Sequence, residues 1–263
     1  LDRLIRKAKA KNSWQQIGKK VSWQKSLDIL RLLPGHNMSK QNDFRHKSQA
    51  LWSLIEAAHR VTLLAHQKPD PDALGACGAL AIMLELHGKK VEVIYPGTGK
   101  DPLPYQIPTL QENKHTFHPD LIISCDTPSM SRLYFPAVFE GVKHANIDHH
   151  QNNTIPADIS IVDTATTSTC ELVFHLFRTW NRTITPDIAN MLLFGILCDT
   201  LNFKVPGTSP ETLRIAADLI DCGANLAELN NALIIHSNPK IFALWGALLS
   251  NAHYSPTANA VWT

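Results

Sequence analysis

Nowhere in these 263 residues does an apolar run approach the roughly 18 that a membrane-crossing helix needs. No segment resembles a secretory leader, and neither an internal repeat nor a low-complexity tract is present. Cysteine is scarce and scattered: the five, at 77, 125, 170, 198 and 222, form no C-x-x-C pair and sit among small or apolar neighbours. That pattern argues against a zinc or disulfide framework and reads as reduced core thiols, which implies a cytoplasmic protein. Charged residues make up 18% against 44% hydrophobic, so a soluble globular protein with a sizeable core is expected. No membrane partner and no protein partner is indicated.

The net charge of +2 is unevenly placed, because residues 1–37 carry nine Lys and Arg against two Asp. A basic arm of this kind can bind nucleic acid or a membrane surface. Here Met38 opens a plausible start, so residues 1–37 are read as a basic extension outside the fold, and their charge supports no nucleic-acid argument.

From about residue 47 the pattern alternates helix and strand. RVTLLAH, KKVEVIYP, DLIISCD, KHANIDHH and ISIVD read as strands. QALWSLIEAAH, ALGACGALAIMLELHG, TTSTCELVFHLFRTWN and PDIANMLLFGILCDT read as helices, with Gly88 a C-terminal cap and Pro186 in a first turn. SRLYFPAVFEGV reads as a broken helix, and further helices are expected over about 209–222, 225–236 and 239–251. Regular alternation predicts an α/β fold, a parallel sheet with helices on both faces.

Acid and histidine recur where this reading ends its elements: His66 with Asp70 and Asp72 in HQKPDPDALGA, then Asp126, then Asp148-His149-His150, then Asp199 closing FGILCD. Taken singly, each is an ordinary turn or cap residue. Together they crowd like charges at the carboxyl edge of the sheet, where ligands of open parallel sheets gather, and a cation relieves that repulsion. Oxygen and imidazole donors without thiolate suit Mn2+ in preference, or Mg2+, over zinc. So many ligands exceed one ion and suit two sharing a bridging carboxylate, an arrangement that activates water and clamps a phosphoryl group.

The ordered motifs H-x-x-P-D-x-D-A-L-G, a strand-terminal Asp, D-H-H and G-I-x-x-D-T resemble the DHH phosphoesterase superfamily. The first is most similar to the small oligoribonuclease/pAp phosphatase (nano-RNase) group, and the resemblance covers about residues 45–255. It implies that His66 and Asp70 hold one ion, that Asp72, His149 and Asp199 hold the other, and that Asp126 bridges. It also implies that Asp148 orients His149, that His150 faces the phosphate as a catalytic and substrate-binding group, and that Arg132 is structural or steadies the substrate. Gly75 fits close helix packing behind the site. The implied substrates are short RNA or a small nucleotide such as pAp. The alternatives are an exopolyphosphatase or family II pyrophosphatase, a RecJ-like single-strand exonuclease, and a catalytically silent nucleotide-binding module. Two departures stand out: Pro71 replaces the usual Gly between the aspartates, and a second, substrate-binding domain is missing. The domains expected are therefore a catalytic domain over 45–235, a helical linker over 236–256, and at 257–263 the start of a truncated DHHA1-like substrate-binding domain.

Overall fold

The computed structural model describes residues 38–97, 103–235 and 239–262. The chain divides into two compact units, Leu1–Phe44 and Arg45–Thr263. The first is described only at the start of helix α1 (Met38–Ala57), so the expectation for residues 1–37 lies outside the described residues.

The second unit is built on a six-stranded sheet. Its strands are β1 (Arg60–Leu64), β2 (Lys90–Tyr95), β3 (Leu110–Glu112), β4 (Leu121–Cys125), β5 (Lys143–Asp148) and β6 (Ile159–Val162). They lie in the order β3-β2-β1-β4-β5-β6, and every pairing is parallel. The four inner strands are short and nearly all buried, as parallel strands covered on both faces must be, whereas the edge strands β3 and β6 are mostly part-exposed. Leu63, Val93, Ile123 and Ala145 lie abreast in the register. Helix α2 (Pro71–Leu86) packs on β1, β2 and β4, and α3 (Thr169–Thr179) packs on β5. Alternate sheet residues Leu64, Ile94 and Ile122 gather instead with Leu133, Phe139 and Ile155.

The segment read as a broken helix forms two 3-10 turns, Met130–Arg132 and Ala137–Phe139. Pro136 stands between them and has no N–H to continue a helical ladder. Helix α4 (Pro186–Asp199) packs most extensively against α2, with α5 (Pro210–Asp221) and α6 (Leu226–Ile235) beyond it. Helix α7 (Pro239–Ser250) ends where Asn251 Nδ2 donates to Ala247 O. A small antiparallel pair follows, β7 (His253–Ser255) with β8 (Ala260–Trp262).

Strand order reverses between β1 and β4: the chain leaves β1 toward β2 on one side and leaves β4 toward β5 on the other. Above the carboxyl ends of such a pair the connecting loops diverge and open a crevice. The acidic motifs converge there.

Candidate metal centre

The loop after β1 turns sharply at Lys68, whose φ of 51° is left-handed, and delivers Asp70 to the first turn of α2. Asp70 is that helix's N-cap. Its Oδ1 accepts from the backbone N–H of Asp72 (3.1 Å) and Ala73 (3.0 Å), while Oδ2 lies 3.5 Å from His66 Nε2. Asp70 thus caps the helix with one oxygen and turns the other toward His66. Pro71 takes the first helical position, where a fixed φ and a missing N–H cost nothing, and this explains why it can stand between the two aspartates.

Asp126 follows β4 with φ 58°, a left-handed conformation that Asp tolerates better than most residues. It is almost wholly buried, and its two oxygens face different partners. Oδ2 lies 3.6 Å from His66 Nε2, whereas Oδ1 lies 3.5 Å from His149 Nε2. Asp199 arrives from the last residue of α4 and reaches within 3.2 Å of His149 Nε2. Candidate ligand atoms therefore fall into overlapping triads: His66, Asp70 and Asp126; Asp72, His149 and Asp199; and Asp126, His149 and His150, with the atoms of each within 4.8 Å of one another.

Electrostatics make this a site in want of positive charge. Asp72 is fully buried, and burial together with the charges of Asp126, Asp199 and Asp70 pushes its carboxyl well up. Burial and the charges of Asp126 and Asp70 push Asp199 up to about 7, and its place at a helix C-terminus is the unfavourable end for an anion. Burial opposes the charged form of His66, but hydrogen bonds to Asp126 and Asp70 outweigh it and raise its pKa to about 10. A divalent cation answers these carboxylates as the His66 proton does, with more charge and more ligands. His66 Nδ1 lies 2.9 Å from Gln67 O; a proton kept there leaves Nε2 free to coordinate, the usual backbone-carbonyl arrangement behind a ligating imidazole. In that tautomer the Arg132 guanidinium, 3.0 Å from the same Nδ1, cannot donate to it and is available to an anion.

Asp148 was expected to orient His149. Its buried carboxylate accepts only the backbone N–H of His149 (2.9 Å) and instead takes the ring of His150, with Nδ1 2.7 Å from Oδ1. Burial works to raise the Asp148 pKa, but the hydrogen bonds from His150 and Asn153 prevail and hold it low. The His150 pKa is raised, chiefly by that bond to Asp148.

Four residues that the sequence did not single out hold the candidate ligands in place. Asn153 donates to Asp148 Oδ2 (2.6 Å), to Asn146 Oδ1 (2.7 Å) and to Thr127 O (3.1 Å). Thr169 and Cys170, opening α3, donate their backbone N–H to Asp72 Oδ2 (2.6 Å) and Oδ1 (2.9 Å), and the Thr169 hydroxyl donates to Asp126 Oδ1 (2.9 Å). Gly195 lets α4 pass close behind, since a Cβ there would collide with Cys170 Sγ and stand 3.0 Å from Asp72 Oδ1. Gly75 does the same for the facing helix, with Met191 O only 2.6 Å from where its Cβ would lie. Only Asn153 offered a sequence signal, an amide five residues past Asp148.

Comparison with known proteins finds relatives of this chain. Bifunctional oligoribonuclease and PAP phosphatase NrnA of Bacillus subtilis is 29% identical over 206 residues, covering 76% of this chain and 64% of that protein. The protein of the same name from Thermus thermophilus is 31% identical over 201 residues, covering 74% of this chain and 59% of its own length. The chain thus spans about three fifths of these curated relatives. An exopolyphosphatase-related protein from Bacteroides fragilis shares the fold, with a TM-score of 0.75 at 22% identity over 82% of this chain and 68% of that one. Residues 60–196, just over half of the sequence, match the model of the DHH family, N-terminal domain. With its fold, its acidic crevice and that match taken together, the chain belongs to the DHH family.

Proposed function

We propose that this protein is a metal-dependent phosphoesterase that hydrolyses short oligoribonucleotides, pAp or a related small nucleotide. The observation that carries this reading is Asp126, whose two oxygens are turned toward two different histidines at the centre of overlapping ligand triads. His66, Asp70 and Asp126 would hold one divalent ion, and Asp72, His149 and Asp199 the other, with Asp126 shared. Hard carboxylate and imidazole donors without thiolate suit Mn2+ or Mg2+. A bound pair of such ions supplies an acidified water and charge for the phosphoryl oxygens.

The protein's own side chains do the rest. Asp148 holds His150 by Nδ1, so the other ring nitrogen is left for substrate. With its pKa raised, His150 can carry a proton near neutral pH and donate it to a phosphoryl or leaving oxygen. Arg132, half-buried beside His66, offers a planar fork to the phosphate. The substrate class is supported by the names of the curated relatives and by a site lined with charged and polar side chains, which suit a phosphate better than an apolar ligand. Turnover by the complete gene product, with Mn2+, against pAp, dinucleotides, cyclic dinucleotides, pyrophosphate and bis(p-nitrophenyl) phosphate is the test. The expected result is ion-dependent hydrolysis with pAp or dinucleotides preferred. Preference for pyrophosphate would replace the substrate, and no turnover of any member would favour a silent binding module.

A further inference from the structure

The hydroxyl of Thr169 is the least expected donor in the centre. It sits in the first turn of α3, yet that helix is already capped: Ser168 Oγ accepts the N–H of Glu171 at 3.1 Å. Thr169 Oγ1 is therefore free of the local role that usually occupies a Thr at a helix start. It reaches across 43 positions of sequence to Asp126 Oδ1 at 2.9 Å, while its own N–H meets Asp72 Oδ2 at 2.6 Å. The residue is fully buried, and so is Asp72. A carboxylate only accepts, so in both contacts Thr169 is the donor.

Resting on the two-ion reading above, we propose that Thr169 is the positioning residue that couples the two ion sites. Asp72 belongs to one triad and Asp126 to both of the others, and a single residue of rigid geometry donates to each. By taking Oδ1 of Asp126, Thr169 fixes which oxygen faces His149 and leaves Oδ2 for the His66 side. It also lowers the cost of holding these two buried carboxylates near each other, since the charge of Asp126 is among the causes that raise the Asp72 pKa. The hydroxyl is thus an orienter behind a bridging ligand, a role whose loss commonly costs 10- to 100-fold in ion affinity or activity.

The decisive comparison is Thr169→Val with Thr169→Ser. Valine keeps the shape and the backbone N–H on Asp72 but removes the donor to Asp126; serine keeps the donor and removes only a methyl. Calorimetric titration of Mn2+ into each, with turnover at saturating Mn2+ and thermal unfolding in chelator, separates the cases. The expected result is that Thr169→Val weakens Mn2+ binding about 10- to 100-fold, lowers kcat by a similar factor and leaves KM nearly unchanged. Thr169→Ser should restore both to within about threefold. A Thr169→Val protein that binds both ions as the parent does overturns the proposal, even if its unfolding temperature has dropped. So does a serine variant that falls as far as the valine one, because packing of the methyl would then be the cause. A parent protein that binds no Mn2+ would overturn the two-ion reading itself, and this proposal with it.

Discussion

Asp126 holds a left-handed φ of 58° that most side chains avoid, with its carboxylate buried beside two histidines. Such a conformation costs on the order of 1 kcal/mol or more and persists where the surroundings dictate it. The proposed bridging role would account for it, and two substitutions separate bridging from catalysis. Asp126→Asn offers one good oxygen and no charge to two cations, so binding of both should weaken and turnover should vanish. His150→Ala leaves the ligands of both sites in place, so two ions should still bind while turnover falls by about 10² to 10³, the usual loss for one transition-state donor. Mn2+ calorimetry run beside turnover reads both, and loss of an ion from His150→Ala would show that the third triad, not the catalytic role, describes that residue. Away from the centre, burial pushes the His144 pKa down to about 4. Its unfolded value near 6.5 is higher, so the unfolded chain takes up a proton first and stability is lost as pH falls from 6.5 toward 4. At 1.36 kcal/mol per unit this reaches at most about 3 kcal/mol. His144→Gln should flatten that acid limb in thermal unfolding, and an unaltered limb would place its origin in other groups.

At the scale of elements, the closest packing in the unit is α2 against α4, where Gly75 and Gly195 let backbone approach backbone. Gly195→Ala should cost about 1–3 kcal/mol, the usual range for overpacking. It should also weaken Mn2+ binding, because the added methyl presses on both Asp72 and Cys170. Thermal unfolding in chelator gives the first quantity and calorimetry the second; a variant as stable as the parent would mean the helices yield freely. The long elements were legible because they are strongly apolar and clearly punctuated, Gly88 and Pro186 marking ends that the structure keeps. Strand β3 was not, since LQE is three residues long and carries no alternation of burial. The 3-10 turns were read as a broken helix because Phe135 and Phe139 stand four apart, as on one helix face, while Pro136 interrupts them. The candidate ligands were legible because they stand at or just beyond the ends of apolar elements. Thr169 was not: its hydroxyl acts on Asp126 across 43 positions, a contact that follows from the topology.

For the molecule as a whole, a β3-β2-β1-β4-β5-β6 sheet creates one crevice at its switch point, and the acidic motifs from β1, β4 and β5 meet there with the end of α4. Stability and ion binding should therefore be linked through pH. The His66 pKa is raised from 6.5 to about 10 in the ion-free fold, so the folded chain holds a proton that the unfolded chain has released across that window. Its contribution is complete below pH 6.5 and is lost as pH climbs toward 10. Asp199, raised from 3.8 to about 7, acts in the same direction between those values. In chelator the unfolding temperature should fall between pH 7 and 9, and excess Mn2+ should reverse the fall by taking the proton's place. A profile indifferent to Mn2+ would contradict the linkage. The central claim, two ions sharing Asp126, is tested most directly by anomalous diffraction at the manganese edge from crystals grown with Mn2+. The account predicts two peaks roughly 3.5–4 Å apart, one on the His66 side of Asp126 and one on the His149 side. A single peak, or a pair that Asp126 does not touch, would contradict it.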